Sequence, residues 1–290
     1  MKGRSIIEIL SVFIFFRLFS LWVRTTDFMK WEFTTLGWSY SAGILLFIVP
    51  VAILMVSRRS FSDYGLSFER WRDHLNFGLT FALVMGVFLN GIGYMVVWKY
   101  SLAYTEMKGA VLLTCCEILA LYVILSLLRK NKQEYYGSKT SNTRTNFLIL
   151  GGLLTLPLVL SLYRQADTFT IGSTVVWQFI FSGFGEEIMY RGYYQSRINE
   201  EFGRPFSFMG VDFGYGVLIS SLLFAFVHIL NPFNPLEGVY ELAWWWGLFT
   251  FFGGLTLGLV REKTGSIIPC GIAHGLPDAV GEAFAMLFSP

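Results

Sequence analysis

The sequence predicts an all-α protein, a polytopic transmembrane helical bundle of about eight or nine spans. Three observations point to it. The 290 residues are 54% hydrophobic and only 14% charged, where an average soluble domain carries about 25% charged residues. Apolar runs close to the length of about 20 residues that crosses a bilayer recur along the whole chain. Aromatic residues make up 18%, with 29 Phe and 9 Trp, a composition that suits lipid-facing surfaces and interface belts. Mean hydropathy is +0.55. The net charge of +2 is too small to suggest nucleic-acid binding.

The expected spans lie near 5–23, 36–56, 77–98, 109–128, 146–163, 171–192, 213–230, 239–260 and 266–288. The first follows Met1-Lys2-Gly3-Arg4 and imitates a signal peptide. It contains Glu8 and Arg17 and has no small-residue cleavage site before Arg24, so it reads as a retained span with Arg17 snorkelling or facing protein. The stretch Arg58–Asn76, with Tyr64-Gly65-Leu66 and Trp71, is amphipathic and is expected on the membrane surface, His74 included. A short aromatic linker, Trp98–Lys108, separates the third and fourth spans. Arg129–Arg144 is the most polar stretch and reads as an exposed loop. Cys115, Cys116 and Cys270 fall in apolar runs without zinc spacing and read as small buried hydrophobes. The chain divides into N-terminal transmembrane helices, 1–165, which carry the amphipathic segment, and a chemistry-bearing segment, 170–288. With the N-terminus inside, sixteen Lys and Arg fall on the inner side and five on the outer, as the positive-inside bias requires.

Chemistry concentrates in the last third. Glu186 and Glu187 stand side by side in an otherwise apolar span with Arg191. A charge at the bilayer centre costs about 2.5–3.5 kcal/mol on insertion scales, so two acids and an arginine in one span suggest function. Glu187 and Arg191, four apart, share a helix face and can pair. Glu186, about 100° round the helix, is then free to act as a base. An inert buried ion pair between spans would need only one acid. His228 lies near the end of a helix that Asn231-Pro232 terminates; alone, it could be a packing residue. His274 and Asp278 are a further one-turn pair, with Glu282 four residues on. Pro277 between them removes a helix hydrogen bond, so the pair also fits a kinked, capped helix. Glu117 is an isolated intramembrane acid, as consistent with a structural hydrogen bond as with a role.

Glu186-Glu187-x-x-x-Arg191, Phe224-x-x-x-His228 and His274-x-x-x-Asp278 together resemble the three motifs of the CPBP (CAAX protease and bacteriocin-processing) family, also called Abi, over about residues 170–285. Its best-known members are type II CAAX prenyl endopeptidases. The resemblance implies an intramembrane endopeptidase in which Glu186 and His228 activate the hydrolytic water, Glu187 and Arg191 organise the site, and His274 with residue 278 stabilises the oxyanion. Asp278 departs from the Asn of the eukaryotic-type pattern. An ionised Asp accepts hydrogen bonds and donates none, so Asp278 is protonated, or orients His274, or leaves the oxyanion donor elsewhere. The family has been described as metalloproteases. The HExxH signature is absent, and a glutamate-activated water without metal is favoured. A zinc, if present, would take Glu186, His228 and His274. Expected partners are a membrane-anchored peptide or protein substrate and the lipid bilayer, with no nucleic acid. The expected location is a bacterial cytoplasmic membrane, multi-pass, with the site opening laterally or toward the cytoplasm. The alternative is a non-catalytic membrane binding or bacteriocin-immunity protein; a proton-relay transporter is disfavoured by the lack of inverted repeats.

The motif residues must also meet at one depth. At a rise of about 1.5 Å per residue across a core of about 30 Å, the expected span limits leave Glu186 and His228 offset by more than about 10 Å. A seventh helix starting nearer Gly216, or a sixth running past Arg191 beyond the membrane, removes the offset.

Overall fold

The computed structural model describes residues 3–130 and 142–288. Within them the chain is mostly helical, with one small hairpin and longer turns and loops at 57–70, 100–106 and 230–243. The elements are α1 (Arg4–Arg24), α2 (Asp27–Leu36), α3 (Tyr40–Val56), α4 (Trp71–Met85), α5 (Met95–Lys99), α6 (Met107–Lys130), α7 (Thr143–Arg164), α8 (Thr168–Val176), α9 (Ser196–Phe202), the strands β1 (Phe206–Phe208) and β2 (Val211–Phe213), then α10 (Tyr215–Ile229), α11 (Trp244–Thr264) and α12 (Ile268–Phe288). π-Helical turns join α4 to α5 (Gly86–Tyr94) and α8 to α9 (Trp177–Glu186 and Ile188–Gln195). Chain punctuation explains several boundaries. The Thr26 hydroxyl caps α2, and Gly37, at φ 77°, closes it in the left-handed conformation that only glycine adopts freely. Asp167 caps α8, accepting from the amides of Phe169 and Thr170 at 3.1 and 3.2 Å. The Thr170 hydroxyl and these amides hold its carboxyl below the usual carboxylate range.

Every expected span coincides with a helix or a helical run. Four helices among the described residues are long and apolar enough to cross a membrane on their own: Arg4–Arg24, Trp71–Lys99, Met107–Arg129 and Thr143–Arg164. The α2–α3 pair, bent by 111°, makes a fifth. By length and composition a count of eight or nine is not confirmed: after Thr168, α8 is only 9 residues long before the π-helical turns, and α10 is apolar but only 15 residues long. Other differences concern detail. The ninth-helix region begins as predicted, but the eighth starts at Trp244 rather than 239. Helix α2 and the hairpin were not expected. The amphipathic surface segment is instead a set of turns up to Arg70 followed by the first turns of α4, and His74 is buried at 8% exposure. The turns are anchored inward: Ile267 N donates to Gly65 O at 3.2 Å, and Arg261 donates to Asp63 O at 3.0 Å. Cys116 and Cys270 are buried, but Cys115 is exposed. Most of the polar loop after Arg129 lies outside the described residues.

α12 is central, packed against α4, α7, α8, α11 and the turns Trp177–Glu186. Two cores flank it. One joins α4, α6, α11 and α12 through Phe81, Ile124, Leu257 and Ala273. The other joins α1, α3, the turns Ile188–Gln195 and α10 through Ile9, Leu54, Tyr193 and Phe224. The N-terminal helices thus share a core with the chemistry-bearing segment. On the N-terminal face, Glu8 accepts from Arg59 at 2.6 Å, Arg197 at 2.9 Å and Tyr193 at 2.8 Å. On the opposite face, Arg24 donates to Asn231 O at 3.0 Å, and Arg17, facing protein, donates to the carbonyls of Leu230 and Phe233.

The start of α1 carries a pH-dependent tie. Glu201 accepts from the amides of Gly3 and Ser5, which hold its carboxyl down at about 2 from a usual 4.5. A depressed carboxyl contributes stability that is present above its unfolded pKa and is lost as pH falls through the folded one. The tie is expected to hold above about pH 4.5 and to weaken toward pH 2. Amide exchange at Ser5, corrected for intrinsic rate, should rise across that window in the wild type, and Glu201→Gln should show the fast rate throughout.

Candidate active site

Three helical segments bring the motif residues together. Glu186, Glu187 and Arg191 lie on the π-helical turns, His228 on the last turn of α10, and His274 and Asp278 on α12. Both helix limits that would relieve the depth offset are found: α10 starts at Tyr215, close to Gly216, and the Glu186 helix continues past Arg191 to Phe202. π-Helical turns of this kind often mark functional sites; the sequence predicted plain α-helix here.

Gly183 and Gly275 set the closest approach. A Cβ on Gly183 would stand 2.6 Å from Gly275 Cα, and one on Gly275 would stand 2.7 Å from Phe179 O. Only hydrogen at both positions lets the two backbones touch, the small-residue packing typical of membrane helices. That contact brings His274 onto Glu187. Gly275→Ala should push the helices apart, cost about 1–3 kcal/mol as an overpacking change, and reduce any activity through the displaced His274. Thermal unfolding in detergent checks the first effect.

Glu187 is the hub. It is fully buried, and its Oε1 accepts from Arg191 Nη1 at 2.7 Å and from His274 Nδ1 at 2.9 Å. Arg191, 1% exposed, also lays its guanidinium over Phe224, 4.5 Å from the ring centre. His274 Nε2 is turned toward two further carboxylates, Asp278 Oδ2 at 3.4 Å and Glu186 Oε2 at 3.9 Å. Glu186 Oε2 itself is buried and has no hydrogen-bond partner. His228 is joined to the group through Phe224. Its Nδ1 lies 2.7 Å from Phe224 O, its ring meets that of Phe224 at 4.6 Å, and Phe224 meets His274 at 5.9 Å. Five of the six candidate residues thus interact directly, and the sixth is one aromatic ring away.

The surroundings add residues that the motifs did not single out. Asn90 donates to Pro277 O at 2.7 Å, steadying the carbonyl beside Asp278. Glu282 accepts from Gln178, which extends the polar face one more turn. Trp246 meets the His228 ring at 5.1 Å. An isolated Asn or Gln in an apolar run is a readable signal. Trp246, in the run Trp244-Trp245-Trp246, reads from sequence as an interface belt. Glu117 is fully buried beside Gly253 and Thr256.

The zinc set Glu186, His228 and His274 is not gathered round one point: His274 Nε2 faces the Glu186 and Asp278 carboxylates, while His228 reaches the group only through the Phe224 ring. Among the described residues no group of three or more His, Cys, Asp or Glu side chains is arranged to hold a metal ion.

Comparison with known families places this arrangement. Residues 169–280 match the family described as type II CAAX prenyl endopeptidase Rce1-like. No curated protein and no solved structure matches the chain. The matched segment holds all three motifs and every residue of the Glu187 hub, and over this segment the chain is similar to the type II CAAX prenyl endopeptidase Rce1-like family.

Proposed function

We propose that the protein is an intramembrane endopeptidase that hydrolyses peptide bonds of membrane-associated polypeptides with a water activated by Glu186 and His228. Glu186 carries the reading: its Oε2 is buried and unpartnered while its neighbour Glu187 is committed to Arg191 and His274. A carboxylate held free beside an imidazole is placed to take a proton from water. With His228 Nδ1 donating to Phe224 O, its Nε2 carries no proton in the neutral ring and accepts from the same water. The resulting hydroxide attacks the scissile carbonyl. His274, protonated on both nitrogens, donates from Nε2 to the oxyanion. Asp278, 3.4 Å from that nitrogen, orients the ring, which accounts for Asp where the eukaryotic-type pattern has Asn. Glu186 then returns its proton to the leaving amine. No step passes through a metal. The basic N-terminal face lies in the cytoplasm of a bacterial cell.

Terminal-peptide mass spectrometry of host membranes, with and without the chain at matched abundance, tests the reading. New N-termini that appear only with the chain are the expected result. Identical termini would refute peptidase activity and leave the non-catalytic, immunity-type role.

A further inference from the structure

Two arginines of α1 hold the end of the helix that carries His228. Arg17 donates through Nη2 to the carbonyls of Leu230 and, at 3.0 Å, of Phe233. Arg24, about two turns further on, donates to Asn231 O at 3.0 Å and to Asn231 Oδ1 at 3.2 Å. We propose that Arg17 and Arg24 are positioning residues for His228: from a helix outside the segment that holds the three motifs, they fix the last turn of α10 where the imidazole meets the hydrolytic water. The inference rests on the peptidase reading and deepens it.

Helix α1 is laid out for this contact. Its buried residues, Ser5, Ile9, Phe13, Arg17 and Leu21, recur every four positions, one stripe along the helix. Phe13 meets Phe226 of α10 at 6.2 Å, so Arg17, one turn on, falls beside the end of α10. Arg17 is 8% exposed and stands about 10 Å inside the C-terminal end of α1 at 1.5 Å per residue. A guanidinium that deep in a span is costly, and here it is matched to backbone carbonyls. Its planar head reaches two of them at once, where the ammonium of a lysine is a single point charge.

The carbonyls are those that decide whether the last turn stays closed. A helix ends with four carbonyls that lack a partner within it. In α10, His228 O accepts from Asn231 N at 3.2 Å, and Ile229 O accepts from Ala243 N at 2.9 Å. Asn231 thus closes the turn on which His228 stands, and Asn231 is itself held by Arg24, with Leu230 and Phe233 on either side held by Arg17. The His228 ring is tied to Phe224, through Nδ1 to Phe224 O at 2.7 Å and ring to ring at 4.6 Å. Those contacts travel with α10 and cannot fix the last turn relative to Glu186. That task falls to α11, through Ala243 and the Trp246 ring at 5.1 Å, and to the two arginines of α1. A reacting group misplaced by about 1 Å can cost about 10²-fold in rate.

The test uses the full chain in detergent with isotope-labelled histidine. The sequence has three histidines, so His228→Asn assigns the His228 resonances by difference. Arg17→Met keeps most of the stem and removes the donors. The His228 Nδ1 proton resonance should shift or broaden beyond detection while the His274 signals stay in place. In proteoliposomes supplied with host membrane protein, the formation of new N-termini per folded molecule should fall at least about tenfold. Arg17→Lys should recover part of both, and Leu18→Ala, on the outer face of α1 at 61% exposure, should change neither. An unmoved His228 resonance in Arg17→Met, or an unchanged rate per folded molecule, overturns the inference and leaves α1 as scaffold. Should Arg17→Met not accumulate in folded form, Arg24→Gln is read in the same way: a smaller shift of the same resonance supports the clamp, and no shift overturns it. Absence of cleavage by the wild type refutes the peptidase reading. The His228 resonance reports on the clamp without substrate, so the two failures are distinct.

Discussion

Glu186→Gln is expected to lower cleavage by about 10²–10⁴-fold, the usual contribution of a general base, with the protein still folded at normal abundance. The asymmetry between the two acids drives the prediction. Glu186 Oε2 has no hydrogen-bond partner and a 3.9 Å approach to His274. Gln keeps the shape, removes the negative charge and takes away the proton acceptor. Removing a buried charge that is not the anchor of an ion pair strands no cation, since Arg191 keeps Glu187. The rate of new N-terminus formation per molecule, paired with a detergent unfolding curve, separates chemistry from folding. Full activity in Glu186→Gln would exclude it as the base and return the choice to Glu187 or to a non-hydrolytic role. Glu187→Gln is a contrasting control: it should lose both activity and stability, because it leaves Arg191 buried without its carboxylate.

The sequence carried the fold class and the site in different ways. Apolar runs announced helices because every backbone group in a bilayer must be bonded within its own segment, and each predicted run is helical. The motif acids and histidines were readable because charge inside an apolar span is costly, and Glu187–Arg191 pairs as its one-turn spacing requires. What stayed hidden depends on tertiary contact. The π-helical turns under Glu186 leave no mark in residue type. His74 looked like a surface residue because its own segment is polar, yet it is buried. Trp246 gave no signal because its value lies in touching His228 from another helix. Arg17, ambiguous in sequence, is fixed by the carbonyls at the end of α10, a partner more than two hundred residues away.

Arg191→Ala should be the most destabilising substitution in the site, by about 3–5 kcal/mol, the range for breaking one half of a buried pair. Glu187 is 0% exposed, and its Oε2 already lacks a partner. Without Arg191 its charge would rest on His274 alone. The substitution also removes the guanidinium stacked on Phe224, and with it the packing that links His274 to His228 through that ring. Arg191→Lys should recover only part of the loss, since an ammonium keeps the charge but neither the fork nor the flat face. The double variant Glu187→Gln, Arg191→Met removes both charges at similar volume. It should therefore regain most of the abundance and unfolding temperature that Arg191→Ala loses, because replacing a buried pair with apolar groups is often neutral. It should stay inactive, since His274 would lose the acceptor that holds Nδ1 at 2.9 Å. Stability recovered without activity would identify the pair as the positioning element of the site. Arg191→Ala with unchanged unfolding temperature would mean that Glu187 does not depend on this ion pair, and the division of labour between the two acids would fall.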